Sequence, residues 1–200
     1  MKLFLCRHGE TEGNENGVLQ GHSSSKLTAK GLNQVEKLSE KLSEEEIDAV
    51  YSSDLNRAVK TGEKIATEQG LKLETSKRLR EVDRSEFEGL AFQKVVEKIQ
   101  RSEKEDHLWK PENGESLDET RQRTVKEIEK IRANHEGEKV VIVSHSGTIG
   151  AAILGLLNHS AKNSFKIIQD NCAINELEWS SDHGWELKKI NETCHLEQSK

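Results

Sequence analysis

Apolar positions along the chain alternate between two spacings. Residues 3–6 are a short unbroken apolar run ending at Arg7-His8-Gly9, the pattern of a buried strand that stops at a polar loop. Thr28 is suited to cap a helix, and Leu32, Val35, Leu38 and Leu42 then recur at helical spacing. They predict an amphipathic helix with those four residues on its inner face. Residues 47–51 predict a second strand. Ser52-Ser53-Asp54 reads as a cap-rich turn before Leu55, Ala58, Val59, Gly62, Ile65 and Ala66, which repeat helically up to a stop at Gly70. Residues 71–73 predict a third short strand. Residues 76–90 show no clear period and carry Arg78, Arg80, Glu81, Asp83, Arg84, Glu86 and Glu88.

The second half repeats the alternation. Residues 91–100 read as helix, and 101–115 as a polar loop or flap holding the single proline, Pro111. Ser116 with Glu119 forms a capping-box pattern, opening a long helix with Leu117, Thr124, Ile128 and Ile131 inward. Val140-Val141-Ile142-Val143 is apolar without interruption, as expected of a central strand buried on both faces. His145-Ser146-Gly147 follows, then a small apolar helix from about 148 to 157. Residues 173–179 and 185–190 predict a terminal hairpin around Asp182-His183-Gly184, with a frayed tail after Ile190. Strands alternating with helices predict an α/β fold, a three-layer α/β/α sandwich with a mainly parallel central sheet.

Composition narrows the function. At 200 residues the chain suits a single domain over 1–200, with a helical or loop insertion at about 83–115 covering the site. A formal net charge of −6 excludes a general nucleic-acid footprint and requires any phosphate site to be a local cluster of cations. Cys6, Cys172 and Cys194 form neither a disulfide framework nor a zinc pattern. The apolar run at the N-terminus is too short for a signal segment or a membrane span. The reading is a cytoplasmic protein that binds no membrane and no nucleic acid, a monomer or homodimer.

Two histidines hold equivalent places: His8 and His145 each end an apolar strand and precede Gly9 or Ser146-Gly147. Ligands of open parallel sheets bind beyond the carboxyl ends of the strands, so two adjacent central strands would bring both imidazoles into one pocket. Arg7 flanks the first. Arg57 lies in the opening turns of the second helix, and helix starts favour anions, while guanidinium forks suit phosphate oxygens. An isolated helical arginine is ordinarily a solvated charge; Arg7, beside a buried strand, is harder to leave without an anion.

Leu5-Cys6-Arg7-His8-Gly9-Glu10-Thr11 with Asn14 resembles the signature of the histidine phosphatase superfamily, which includes the cofactor-dependent phosphoglycerate mutases. The resemblance continues in order through Gln20-Gly21, Leu27-Thr28, Gly31, Tyr51-Ser52-Ser53-Asp54-Leu55, Arg57-Ala58, Thr61, Leu79-Arg80-Glu81, Phe87-Glu88-Gly89, Gly114-Glu115-Ser116 and Val143-Ser144-His145. It implies a phosphoglycerate mutase-like fold and roles by position. His8 matches the nucleophile, and Arg7, Arg57 and His145 match phosphate-pocket residues. Glu81 matches the general acid, while Asn14, Gln20, Gly21 and Ser146 fall on the phosphate or substrate side. Departures from the common pattern are Cys6 for valine, Ser85 for glycine, Phe87 for tryptophan, and Ser146 and Thr148 after the second histidine.

The expected activity is therefore hydrolysis of small phosphomonoesters through a phosphohistidine on His8, with Glu81 as general acid and base. No cofactor and no metal are expected, because His107, His135, His159, His183 and His195 lack ligand spacing and read as surface residues. Asp83 and Glu86 are alternative acids, and His22 is a substrate-side candidate. Trp109, Trp179 and Trp185 read as packing or flap residues. A phosphoglycerate mutase is the enzymatic rival, although the family's mutases resemble longer chains. A phosphate-binding scaffold without turnover is the rival of another class, and the full set of His8, His145, Arg7, Arg57 and Glu81 speaks against it.

Overall fold

The computed structural model describes residues 1–102 and 104–197. In chain order the elements are β1 (Lys2–Arg7), α1 (Glu12–Glu15), α2 (Ala29–Leu42), β2 (Ala49–Ser53), α3 (Asn56–Glu68), β3 (Leu73–Ser76), α4 (Phe92–Gln100), α5 (Leu117–Asn134), β4 (Lys139–Ser144), α6 (Ser146–Leu156), β5 (Ile174–Ser180) and β6 (Gly184–Glu192). The six strands form one sheet in the order β3-β2-β4-β1-β5-β6. β3, β2, β4 and β1 run parallel, and β5 and β6 add an antiparallel edge. This is the α/β fold with a mainly parallel sheet that the alternation of periods predicts.

The pleat of β1 sorts its side chains between two cores. Phe4 and Cys6 join Val141, Val143 and Val50 under α2 and α3, against Val35, Leu38, Ala58 and Ile65. Leu3 and Leu5 join Val140, Ile142 and Leu177 on the opposite face, under α5 and α6, against Ile128, Ile131, Ile149 and Ile153. Burial on both faces is why β1 and β4 read as unbroken apolar runs. Each fully buried Leu or Ile stabilises the fold by roughly 1.5–3 kcal/mol relative to exposure.

Several boundaries differ from the sequence reading. The third strand is Leu73–Ser76 rather than 71–73. Among the described residues it pairs only with β2, so as an edge strand it tolerates polar residues that hide its period. α6 begins at Ser146 rather than 148, which puts the helix start directly on His145. Leu32 is 56% exposed, because the inner face of α2 is led by Gly31, whose backbone lies against Glu10; a Cβ on Gly31 would meet the Glu10 carbonyl oxygen at 2.0 Å. The tail after Ile190 is ordered through residue 197: β6 reaches Glu192, a 3-10 turn covers Cys194–Leu196, and Leu196 packs on the α2 side of the core. Residues 198–200 lie outside the described residues. His107 and Trp109, in the polar stretch before α5, are buried. Trp109 stacks obliquely on Phe87 with ring centroids 5.5 Å apart, and Val95 of α4 completes that cluster.

The register of the two central strands decides the rest. Arg7 stands opposite Ser144, so the next residue of each strand falls on the same rim. His8 N donates to the Ser144 carbonyl at 3.1 Å.

Candidate active site

His8 and His145 meet at the carboxyl ends of β1 and β4 with ring centroids 5.1 Å apart. Both are buried. His8 Nδ1 lies 2.7 Å from the Gly9 carbonyl oxygen; a carbonyl only accepts, so Nδ1 carries the proton and Nε2 keeps its lone pair. Arg57 Nε donates to His145 Nδ1 at 3.2 Å. That bond makes Nδ1 of His145 the acceptor and puts its proton on Nε2 in the neutral ring. Burial, then Arg7 and Arg57, holds His8 well below the usual imidazole pKa; burial, then Arg57 and His8, does the same to His145. Both rings are therefore neutral at pH 7, and His145 serves as an N–H donor without being an imidazolium.

Arg57 is 2% exposed although it lies in the first turn of α3. Its NH1 and NH2 groups donate to the carbonyls of Ser23 and Gly21 at 2.9 and 2.7 Å, so one guanidinium fixes both the 21–23 loop and His145. Ser52 to Asp54 do not cap α3: the N-cap is Leu55, its N–H bonds Ser53 Oγ, and Asp54 binds Arg80 through two bonds of 2.6 Å. Arg7 NH1 donates to the Gln169 carbonyl at 2.6 Å. Arg7 Nε and His145 Nε2 are buried donors without a protein partner among the described residues.

Glu81 reaches the site from the loop after β3 and caps α6. Its Oε2 accepts from Gly147 N at 3.2 Å, and Oε1 accepts from Thr148 N at 3.0 Å and Thr148 Oγ1 at 3.1 Å. His145, the N-cap residue, supplies no such bond, and Glu81 takes over the usual capping role. The contact needs glycine at 147, where a Cβ would stand 2.8 Å from Glu81 Oε1. The one proton of Thr148 Oγ1 is shared between Glu81 Oε1 and the nearer Arg80 carbonyl at 2.8 Å. The residue that departs from the common pattern after the second histidine thus holds the Glu81 segment in place.

These side chains surround one cavity of about 390 Å³, lined by Arg7, His8, Arg57, Glu81, Asn14, Gln20, Gly21 and Ser146 and by apolar walls that include Phe92, Leu117 and Phe165. His145 is not part of that wall; it lies in contact with two residues that are, His8 and Arg57. Asn14 Oδ1 accepts from Thr11 and Asn171, and Gln20 Oε1 accepts from Thr11 Oγ1 at 3.0 Å. The remaining candidates lie elsewhere. His22 does not line the cavity; its ring bonds the Glu81 carbonyl at 2.8 Å and its N–H bonds Glu88, which braces the loop. Glu81 is the only acidic residue in the cavity wall among the described residues. Asp83 instead caps Ser85 N, and Glu86 is exposed.

Arg84 is the site residue that the sequence reading passed over. It lines the cavity from the turn before Ser85–Phe87, in the stretch where charges showed no period. Ser164, 2% exposed, lines it as well. A single serine in a polar connection gives no sequence signal.

Burying two neutral imidazoles ties stability to pH. Their folded-state pKa values lie below the unfolded value near 6.5, so as pH falls through 6.5 the unfolded chain binds protons that the folded chain refuses. Stability is complete above about pH 7 and falls on acidification by up to about 1.4 kcal/mol per pH unit for each ring. His195, half-buried and also lowered, adds a smaller part. Urea midpoints at pH 7 and 5 should show this slope in the parent and a shallower one in a His8→Asn/His145→Asn double variant; an equal slope would refute the assignment.

Comparison with known proteins agrees with this geometry. A family model described as the histidine phosphatase superfamily (branch 1) matches residues 3–193. The chain is 32% identical to phosphoserine phosphatase 1 of Hydrogenobacter thermophilus over 98% of this chain and 94% of that one. It is 32% identical to phosphoglycerate mutase-like protein 4 of Arabidopsis thaliana over 99% and 88%. It superposes on a phosphoserine phosphatase from Entamoeba histolytica, solved with 3-phosphoglyceric acid, with a TM-score of 0.87 and 28% identity over 98% of both chains.

Proposed function

The chain belongs to the histidine phosphatase superfamily, branch 1, and is a phosphoric monoester hydrolase; we propose that it works through a phosphohistidine on His8. The observation that carries this reading is the pair of buried donors, Arg7 Nε and His145 Nε2, that lack protein partners beside a neutral imidazole whose Nε2 lone pair is kept free by the Gly9 carbonyl. Unpartnered buried donors are costly, and phosphoryl oxygens would satisfy them.

In the first step the His8 Nε2 lone pair attacks phosphorus, the P–O ester bond breaks, and the departing oxygen takes a proton from Glu81. The cation left on the ring keeps its Nδ1–H bond to Gly9. In the second step Glu81 accepts a proton from water, water oxygen attacks phosphorus, the P–N bond breaks, and inorganic phosphate leaves. Arg7 and Arg57 face the charge on the transferring group throughout, as donors fixed before the reaction. Burial pushes the thiols of Cys6 and Cys172 up, so neither competes as nucleophile.

The reading takes the chain as one domain whose segment at about 83–115 covers the site, contributing Arg84 and Phe92 to the cavity wall. The substrate is a small phosphorylated molecule, and the protein acts as a monomer or homodimer. Among the described residues no helix is long and apolar enough to cross a membrane, and three free thiols suit the reducing cytoplasm. Phosphoryl return to a phosphoglycerate, the mutase alternative, has less support, since named phosphatases stand among the relatives and the structural neighbours. Mixing with labelled p-nitrophenyl phosphate, rapid acid-free denaturation and digestion should give an acid-labile, base-stable label on the peptide holding His8, with chelator without effect. A label on another peptide, or turnover lost to chelator, would overturn the reading.

A further inference from the structure

The carboxylate of Glu81 is held by the start of α6, but its main chain is held from another side. Arg123, in the second turn of α5, turns its guanidinium toward the stretch between β3 and α4. Three carbonyl oxygens of that stretch accept from it: Arg78 at 2.8 Å from NH1, then Arg80 and Glu81 at 2.9 and 3.0 Å from NH2. Its Nε and NH2 also donate to the two oxygens of Glu115 at 2.7 and 2.8 Å, the paired geometry that suits a guanidinium and a carboxylate. Every nitrogen of the group is thus engaged. Arg123 does not line the cavity, and phosphoryl transfer as derived above gives it no part.

The bonds around Glu81 leave its main chain little slack. Its carbonyl takes a second donor, His22 Nε2 at 2.8 Å, from the loop that Arg57 grips through Gly21 and Ser23. Before it, Arg80 is tied to Asp54. After it, Val82 is buried with Leu117 and Ala161, and Asp83 N donates to Glu115 at 3.2 Å while its carbonyl accepts from Glu115 N at 2.9 Å. What freedom remains to the carboxyl is in its own side-chain torsions, and Gly147 and Thr148 set those. Three carbonyls converging without a donor would be unfavourable, so Arg123 is what lets the stretch take this shape. Because Glu115 offsets the guanidinium charge, the hold is made by hydrogen bonds and adds no net cation behind a group that must carry a proton. A general acid has to stand within hydrogen-bond reach of the departing oxygen, and a misplacement of about 1 Å costs on the order of 10²-fold in rate.

Resting on the phosphatase reading above, with Glu81 as its acid, we propose that Arg123 is a positioning residue for proton transfer: paired with Glu115, it fixes the main chain at Glu81 so that the carboxyl meets the leaving oxygen. It acts on the reaction through Glu81. Its loss therefore has a signature that general loosening of the fold lacks. An alkoxide leaving group depends on the acid and p-nitrophenolate hardly does, so the damage follows the leaving group.

The readout is the ratio of kcat/KM for glycerol 3-phosphate to that for p-nitrophenyl phosphate. kcat/KM covers the steps through departure of the leaving group, and a ratio within one preparation cancels inactive protein. Arg123→Met should lower the ratio by about 10- to 100-fold, with p-nitrophenyl phosphate losing only a few fold. Arg123→Lys should restore part of it. Inhibition by inorganic phosphate should keep its strength, since Arg7 and Arg57 stay in place. The Arg123→Met/Glu81→Gln double variant should match the ratio of Glu81→Gln alone within about twofold, because two changes that remove one function do not add. Should Arg123→Met not fold, Glu115→Gln, which takes the counter-charge from the guanidinium, carries the same test with a smaller drop. Equal losses on both substrates in Arg123→Met, a further drop in the double variant, or phosphate inhibition weakening in step with turnover would overturn the proposal. A ratio unmoved by Glu81→Gln itself would instead remove the acid assignment on which it rests, and absence of p-nitrophenyl phosphate turnover by the parent would count against the phosphatase reading.

Discussion

His8→Ala should lower kcat/KM for any phosphomonoester by on the order of 10⁴ to 10⁶, the scale on which loss of a covalent nucleophile is felt. The loss should fall on kcat, because the groups expected to grip the phosphoryl oxygens stay in place: Arg57 remains tied to Ser23, Gly21 and His145, and Arg7 to Gln169. His8 is 3% exposed, so the variant carries a small cavity and loses the bond to the Gly9 carbonyl, together worth about 2–3 kcal/mol. His8→Asn keeps a side-chain amide donor near that carbonyl and serves as the better-folded control. Both variants should still show a rise in melting temperature on adding inorganic phosphate, by the mass action of a ligand that binds only the folded state. Retained phosphate binding with lost turnover assigns His8 to chemistry. Turnover above about one hundredth of the parent's would move the nucleophile to another residue, with His145 the first to test.

Much of this centre is visible in the linear chain because strand and helix periods are local properties. β1 and β4 are buried on both faces, so each reads as an apolar run with a histidine at its end, and their equivalence is legible without coordinates. Their adjacency is not: it depends on the pairing of Arg7 with Ser144, a contact between distant parts of the chain. Glu81 could be assigned through the family's residue order, but its dependence on Gly147 and Thr148 belongs to the start of α6, which periodicity set two residues late. Arg84 was illegible for a physical reason. A guanidinium facing solvent and one facing a cavity are the same letter in an aperiodic stretch, and what distinguishes Arg84 is its place in the cavity wall, which only tertiary structure reveals. His22 shows the converse: adjacency to Gly21 pointed it toward substrate, while its ring turns to the Glu81 carbonyl. His107 lacks ligand spacing and so reads as a surface residue, yet it is buried beside Trp109 in the chain.

Glu81→Gln separates the proton-transfer step from the rest of the site. An alkoxide leaving group needs a proton as the P–O bond breaks, whereas p-nitrophenolate is stable enough to leave with little help. The substitution should therefore cost about 10²–10⁴ in kcat on an alkyl phosphate such as glycerol 3-phosphate, the usual range for general acid–base help, and about tenfold or less on the first step with p-nitrophenyl phosphate. Structural damage should be small. A glutamine oxygen in place of Oε1 still accepts from Thr148 N and Oγ1, and only the longer bond from Gly147 N at 3.2 Å meets an amide nitrogen that cannot accept it. The lost bond corresponds to about 1 kcal/mol, a shift in melting temperature of a few degrees for a domain of this size. In the proposed mechanism Glu81 also activates the water of the second step, so p-nitrophenol should appear in a burst, with phosphoenzyme accumulating behind it. Equal losses on both substrates without a burst would mean that Glu81 serves to hold α6 and the cavity wall, and that the proton comes from bulk water.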